Sequence, residues 1–226
     1  MKDLILLHGA LGSTHSFDPL KLKLSEHYNC YTLNFSGHGN TTFNPEGFGI
    51  EYFAEELNAF IKENGLSQPN IFGYSMGGYV ALYLAHREPS LMGKIITLGT
   101  KFGWSPEAAD KEVSRMNPEV MEEKIPAYTQ KLASVHEKQW KELVWQTAGM
   151  MMELGEEPLI TIEVLKNIQN KVLILRGSED EMVNDVESKW AVAHLPNGQF
   201  KELTDQPHQI DKVDQGLLIK TLMNYL

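Results

Sequence analysis

Short apolar runs separated by amphipathic stretches organise this chain. Residues 3–7, 28–35, 70–74, 94–98, 171–176 and 198–203 are strand candidates. Runs such as Lys171-Val172-Leu173-Ile174-Leu175 are apolar at successive positions, the pattern of a strand covered on both faces. Between them, 16–26, 51–64, 76–87, 184–194 and 211–226 carry apolar residues at helical spacing. The alternation predicts an α/β fold: an open, mostly parallel six-stranded sheet with helices on both faces and right-handed crossovers.

One connection breaks the rhythm. About seventy residues separate Leu98 from Lys171, far more than a strand-to-strand crossover needs. Ser105-Pro106-Glu107 and Asn117-Pro118-Glu119 each read as an N-cap followed by proline at the first helical position. Trp140, Leu143, Val144, Ala148, Met151 and Met152 recur at helical spacing, and Pro126 should kink or divide a helix. Residues 105–168 are therefore expected to form an insertion of three or four helices, with 1–104 and 169–226 as the core. The Met and Trp residues of the insertion either glue its helices to the core or face a substrate pocket beneath it.

Composition narrows the function. The chain has 226 residues, 42% of them hydrophobic, enough for one α/β core. Its 30 acidic and 20 basic residues leave a net charge of −10 and no Lys/Arg cluster, which argues against nucleic acid as a partner. The lone Cys30 excludes an intrachain disulfide and a multi-cysteine metal site, and suits a reducing compartment. Leu4-Ile5-Leu6-Leu7 is too short for a signal peptide or a membrane span, so a cytoplasmic protein without membrane insertion is expected. No clustered His, Cys and carboxylate pattern implies a metal, and no cofactor is expected.

The chemistry is written at the ends of the strands. Gly73-Tyr74-Ser75-Met76-Gly77 lies between a strand and a helix, the setting of a nucleophile elbow that lifts a serine hydroxyl clear of the sheet. A serine needs a base, a group to orient that base, and donors for an oxyanion. His208, in Thr204-Asp205-Gln206-Pro207-His208-Gln209, is the candidate base; His194 falls inside a helical pattern and reads as a surface or packing residue. Asp180, three residues beyond Gly177, is the candidate orienting acid. Glu179 and Glu181 read as solvated neighbours, and Asp185 as an acid of the next helix's first turn. The oxyanion donors are the backbone N–H of Met76, at the helix start, and that of Ala10 in His8-Gly9-Ala10-Leu11-Gly12, with Leu11 the weaker choice. His8 reads as a brace for that loop. Leu11, Trp104, Trp140, Trp145 and Met151 are the pocket candidates, an apolar lining suited to small or medium acyl groups.

The order Ser75, Asp180, His208 distinguishes one class of triad enzyme from the others. On this order, and on His8-Gly9-Ala10-Leu11-Gly12, Ser36-Gly37-His38-Gly39, Gly73 to Gly78, Gly177-Ser178-Glu179-Asp180 and the late His208, the chain resembles the α/β-hydrolase superfamily over essentially its whole length. The resemblance implies that 105–168 is the family's helical cap, lying over Ser75. Little chain precedes the His-Gly strand, so the first two strands of larger members are expected to be missing, leaving an all-parallel sheet. Two further departures stand out: Pro207 replaces the glycine that often precedes the family's histidine, and the oxyanion loop lacks the Gly-rich run of the hormone-sensitive-lipase branch.

The expected function is hydrolysis of small to medium carboxylic esters through an acyl-enzyme. The resemblance keeps other reactions open: a carbon–carbon bond hydrolase, a thioesterase, a lyase of the quinone-biosynthesis type, or a slow-turnover ligand receptor. Serine at position 75 argues against the family's dehalogenases and epoxide hydrolases, which carry Asp there.

Overall fold

A computed structural model describes all 226 residues. Six parallel strands form one sheet: β1 (Lys2–Leu7), β2 (Tyr28–Leu33), β3 (Asn70–Tyr74), β4 (Ile95–Leu98), β5 (Val172–Glu179) and β6 (Gly198–Pro207). Their spatial order is β2-β1-β3-β4-β5-β6, so the chain starts next to one edge and winds outward in both directions. Ten α-helices accompany them: α1 (Asp18–Leu24), α2 (Ile50–Glu63), α3 (Met76–Arg87), α4 (Pro106–Val113), α5 (Pro118–Lys124), α6 (Pro126–His136), α7 (Trp140–Glu156), α8 (Ile162–Asn167), α9 (Asp185–His194) and α10 (Gln215–Tyr225). None is long and apolar enough to cross a membrane.

The doubly apolar strands have a direct structural cause. Leu4 and Leu6 of β1 face one helical layer, with Phe17, Leu20 and Leu24 near α1 and Leu218 and Leu222 of α10. Ile5 and Leu7 face the other, with Phe53, Leu57 and Ile61 of α2 and Val80 and Leu84 of α3. The same alternation divides Ile71 from Phe72, Ile95 from Ile96 and Ile174 from Leu175. Each face of the sheet is thus sealed by its own helices.

Five α-helices, one more than the largest number expected, lie between β4 and β5. Ser105 and Asn117 cap α4 and α5 by accepting from Ala108 N–H and Val120 N–H, and Pro106, Pro118 and Pro126 each open a helix. The start of α7 packs Trp140, Val144 and Ala148 with Met116, Met121 and Leu132 in a small separate cluster. Its end sends Met150 and Leu154 into the larger core, which Ile160, Leu165 and Ile168 also join. The excursion therefore leaves and re-enters the main body gradually.

Three boundaries differ from the sequence pattern. The expected helix 16–26 is a 3₁₀ turn over Thr14–Phe17 followed by α1, with Pro19 in the first α-turn. The last helix starts at Gln215 because Asp214 caps it through Leu217 N–H. More consequentially, β5 and β6 stay paired beyond 176 and 203, out to Glu179 opposite Pro207. A Cβ on Gly177 would collide with the Gln206 carbonyl, so glycine permits this close approach. The extra residues on β6 are absorbed by a register shift between Gly177 and Glu179, with Asp205 at φ 57° and its N–H donating to Ser178 Oγ at 2.8 Å.

Candidate active site

Ser75 sits between β3 and α3 at φ 51° and ψ −115°, a strained backbone for a residue with a Cβ. The turn is tight enough to exclude side chains beside it. A Cβ on Gly73 would lie 2.5 Å from Gly78 backbone, and one on Gly77 would collide with Leu7 O. The backbone is tied down as well. Ser75 N–H donates to Leu98 O at 2.8 Å, and the Thr100 hydroxyl donates to Ser75 O at 2.9 Å. Sharp turn, lateral ties and a helix behind it hold the hydroxyl at the C-terminal end of the sheet.

Asp180 and His208 are joined by the register of the neighbouring strands. Glu179 ends β5 opposite Pro207, which ends β6, and the next residue of each is one of the pair. His208 Nδ1–H donates to Asp180 Oδ2 at 2.8 Å, with both side chains buried. Asp180 Oδ1 accepts from Met182 N–H and Val183 N–H, each at 2.9 Å. Burial pushes the Asp180 carboxyl up, but the His208 bond and charge and the two backbone N–H groups outweigh it and hold it below its usual value. With Nδ1 carrying the proton toward an ionised carboxylate, the lone pair of His208 is on Nε2.

The pair packs against the end of β4. A Cβ on Gly99 would lie 3.1 Å from His208 Nδ1 and 3.2 Å from Asp180 Oδ2, one residue from the carbonyl that holds Ser75. The His208 ring also lies 5.5 Å from the Tyr74 ring. The structure thus gathers all three residues at one end of the sheet. Ser75 Oγ and His208 Nε2 form no hydrogen bond with each other, and neither is among the buried unpaired atoms, so both reach solvent. In ligand-free enzymes such contacts commonly tighten on substrate binding.

The loop after β1 faces Ser75: a Cβ on Gly9 would lie 3.1 Å from Ser75 Cβ. The N–H groups of Ala10 and Met76 have no acceptor within the protein. The orientation of Ala10 N–H has a cause. The carbonyl of its own peptide, Gly9 O, accepts from Gly12 N–H at 3.0 Å and from His8 Nδ1–H at 2.8 Å, so the N–H points the opposite way. Nε2 of His8 accepts from Phe35 N–H at 3.2 Å, which makes this buried ring a brace rather than a proton carrier.

Of the pocket candidates, Trp140 belongs to the small cluster within the insertion, and Leu11 and Met151 pack against that cluster as partly buried residues. Trp104 packs against the larger core instead, its Nε1–H buried without a partner. Trp145 lies outside both clusters: it is 46% exposed on α7, because residues 143, 144, 147 and 148 form the buried face and 145 turns away from it. Asp185 pairs with Lys189 at 2.6 Å in the first turn of α9, and His194 Nδ1–H donates to Trp190 O. Neither approaches the site through these bonds.

Two contributors escaped the sequence reading. Arg176 Nε–H donates to Val183 O at 2.8 Å and Nη2–H to Asp180 O at 3.2 Å, bracing the acid's loop. Its place at the end of a strand was the available signal. His136, on α6, is buried with His8 and His38, the rings of His38 lying 4.8 Å from His8 and 6.0 Å from His136. No local pattern marks it.

These three histidines carry a pH prediction. Burial pulls His8 down to about 4 and lowers His38 and His136 as well. The unfolded chain, titrating near ~6.5, takes up protons that the folded protein refuses. Stability should therefore be full above that value and fall as the pH drops toward 4. Calorimetric unfolding at pH 5.5 in buffers of different ionisation enthalpy should show a net proton uptake to which these rings contribute, against near zero from them at pH 8.

With the fold and this constellation in place, comparison with known proteins gives a class. The alpha/beta hydrolase fold family matches residues 3–148, and the chain belongs to that family. It is 36% identical over 89 residues to the pimeloyl-[acyl-carrier protein] methyl ester esterase of Neisseria meningitidis, covering 39% of this chain and 33% of that one. A Haemophilus influenzae protein is 30% identical over 95 residues, covering 42% of this chain and again 33% of its own length. The chain thus aligns with about a third of the length of these curated relatives. Among solved structures, a thermophilic esterase from Thermogutta terrifontis matches with TM-score 0.79 at 19% identity, covering 100% of this chain and 89% of that one. The 2-hydroxy-6-oxo-6-phenylhexa-2,4-dienoate hydrolase of a Rhodococcus strain matches with TM-score 0.78 at 20% identity, covering 99% and 90%. At these identities the likeness is one of fold. The protein is an α/β hydrolase with esterase-like relatives.

Proposed function

We propose that this protein is a serine hydrolase that cleaves small to medium carboxylic esters through an acyl-enzyme intermediate. The observation that carries the reading is the Asp180–His208 hydrogen bond at the same end of the sheet as the strained Ser75, with Nε2 left free. His208 Nε2 takes the Ser75 proton as Oγ attacks the acyl carbon. Ala10 and Met76 N–H groups receive the tetrahedral oxyanion, and each donor is worth on the order of 10²–10³ in rate. Asp180 holds the ring in its tautomer and stabilises the imidazolium. His208 then returns the proton to the leaving alcohol, and a water repeats the sequence on the acyl-enzyme.

The insertion 105–168 is read as a cap over this site, supported by Leu11 of the oxyanion loop packing against the cluster that holds Trp140. An apolar contact surface of that kind suits small or medium acyl chains. The net charge of −10 and the unpaired Cys30 support a small-molecule substrate and a cytoplasmic setting.

The test is hydrolysis of p-nitrophenyl acetate, butyrate and octanoate, with a fluorophosphonate used in parallel to mark Ser75. Turnover of the shorter esters together with one covalent adduct on Ser75 is expected. An adduct without ester turnover would move the substrate to another acyl class, including thioesters and carbon–carbon bonds. No adduct would overturn the serine mechanism.

A further inference from the structure

We propose that His136, on the helical insertion, is a positioning residue that clamps the oxyanion loop; this rests on the serine-hydrolase reading above. The ring is fully buried at the last position of α6. It makes two hydrogen bonds to the core, and their chemistry fixes its tautomer. Gly39 N–H lies 2.9 Å from Nδ1 and can only donate, so Nδ1 carries the lone pair. The proton is therefore on Nε2, which lies 3.0 Å from Leu11 O, a group that can only accept.

Both partners sit on unusual backbone. Leu11 has φ 56° and Gly39 φ 54°, and at Leu11 that conformation is held against the strain of a branched side chain. The surrounding segment is docked too. Gln139 Nε2–H donates to Thr41 O at 2.7 Å and Gly37 O at 3.2 Å, and Asn40 reaches Glu137 at 3.3 Å. The end of α6 and the turn after it are thus seated on the 37–41 loop, with His136 reaching past it to the oxyanion loop.

The bond to Leu11 O leads to the oxyanion donor through two peptides. Leu11 O and Gly12 N–H belong to one peptide group. Gly12 N–H donates to Gly9 O, whose own peptide carries Ala10 N–H. His136 therefore stands at the head of a hydrogen-bonded chain that ends on the N–H offered to the oxyanion. Each link orients and polarises the next. His8 grips the same Gly9 carbonyl from the core, so the loop is held from the sheet by one histidine and from the insertion by another.

The chain predicts a loss confined to the chemical step. His136→Asn keeps an acceptor for Gly39 N–H but withdraws the donor from Leu11 O. His136→Gln can restore that donor, its amide nitrogen reaching about as far as Nε2. Expected for the Asn variant is a kcat about 10- to 100-fold lower on p-nitrophenyl butyrate, with KM within about twofold, since a displaced oxyanion donor acts on the transition state. The Gln variant should recover most of it. Hydrogen exchange of the Gly12 amide, read on the resting protein without substrate, should be about tenfold or more faster in the Asn variant and close to wild type in the Gln variant. A serine mechanism that fails leaves the exchange result standing as evidence for the clamp. A Gly12 amide that exchanges at the wild-type rate in the Asn variant would overturn the clamp whatever the enzyme hydrolyses. A wild-type kcat in that variant, with Ser75 still reactive toward the fluorophosphonate, would overturn its bearing on catalysis.

Discussion

Ser75→Ala should lower ester turnover by about 10⁴-fold or more while leaving the protein folded. The magnitude follows from what the residue does in the proposed reaction. Without Oγ there is no acyl-enzyme, and what remains is a bound ester beside His208 and two backbone donors, able at most to assist a water. The fold should tolerate the change, because the strained φ of 51° depends on the ties from Leu98 and Thr100 and on the glycines around it, not on the hydroxyl. The measurement is kcat on p-nitrophenyl butyrate with circular dichroism and a thermal midpoint alongside. Turnover within tenfold of wild type would remove Ser75 from the chemistry, and loss of the fold would show that the hydroxyl contributes to the elbow.

Asp180→Asn should cost about as much, on the order of 10⁴ in kcat at neutral pH, for a different reason. The amide can keep the bonds from Met182 and Val183 N–H through its oxygen, so the loop survives. Its NH₂ then faces His208 Nδ1 and forces that atom to accept. The ring proton moves to Nε2, the position that has to receive the serine proton, and the base is lost without being removed. Nitrogen-15 chemical shifts of His208 should report the exchange of tautomers directly, and an unchanged tautomer would contradict the account. The substitution should also alter acid stability. The wild-type carboxyl is depressed below its ordinary value, so its contribution is present above the unfolded value of about 3.9 and lost as the pH falls through the folded one. The Asn variant should lack that part of the acid transition.

Much of this arrangement was legible in the chain because strong local rules agree with the tertiary structure. Strands buried on both faces announce themselves by unbroken apolar runs, and Gly73 and Gly77 are required by contacts only four or five residues away or across to the end of β1. The ends of β5 and β6 were not legible. Gly177-Ser178 and Thr204-Asp205-Gln206-Pro207 carry turn chemistry, and tertiary pairing overrides it by means of a register shift that no propensity encodes. Trp145 shows a related limit: residue type alone suggests it for a pocket, and the phase of α7 turns it away from the buried face. His136 lies 125 residues from the carbonyl it grips, and nothing in its own helix marks it.

The joining of Asp180 to His208 by adjacent strand ends has a consequence for how this scaffold can diversify. Adding or deleting one residue within Val172–Glu179 or Gly198–Pro207 would shift the pairing that sets the two side chains level, and so would disable the proposed machinery even in a protein that still folds. The excursion between β4 and β5 is free of that constraint, since both its ends return to strands whose alignment it does not set. New substrate ranges are therefore best sought by exchanging helices there as a block. A transplanted block would have to bring its own donor for the Leu11 carbonyl.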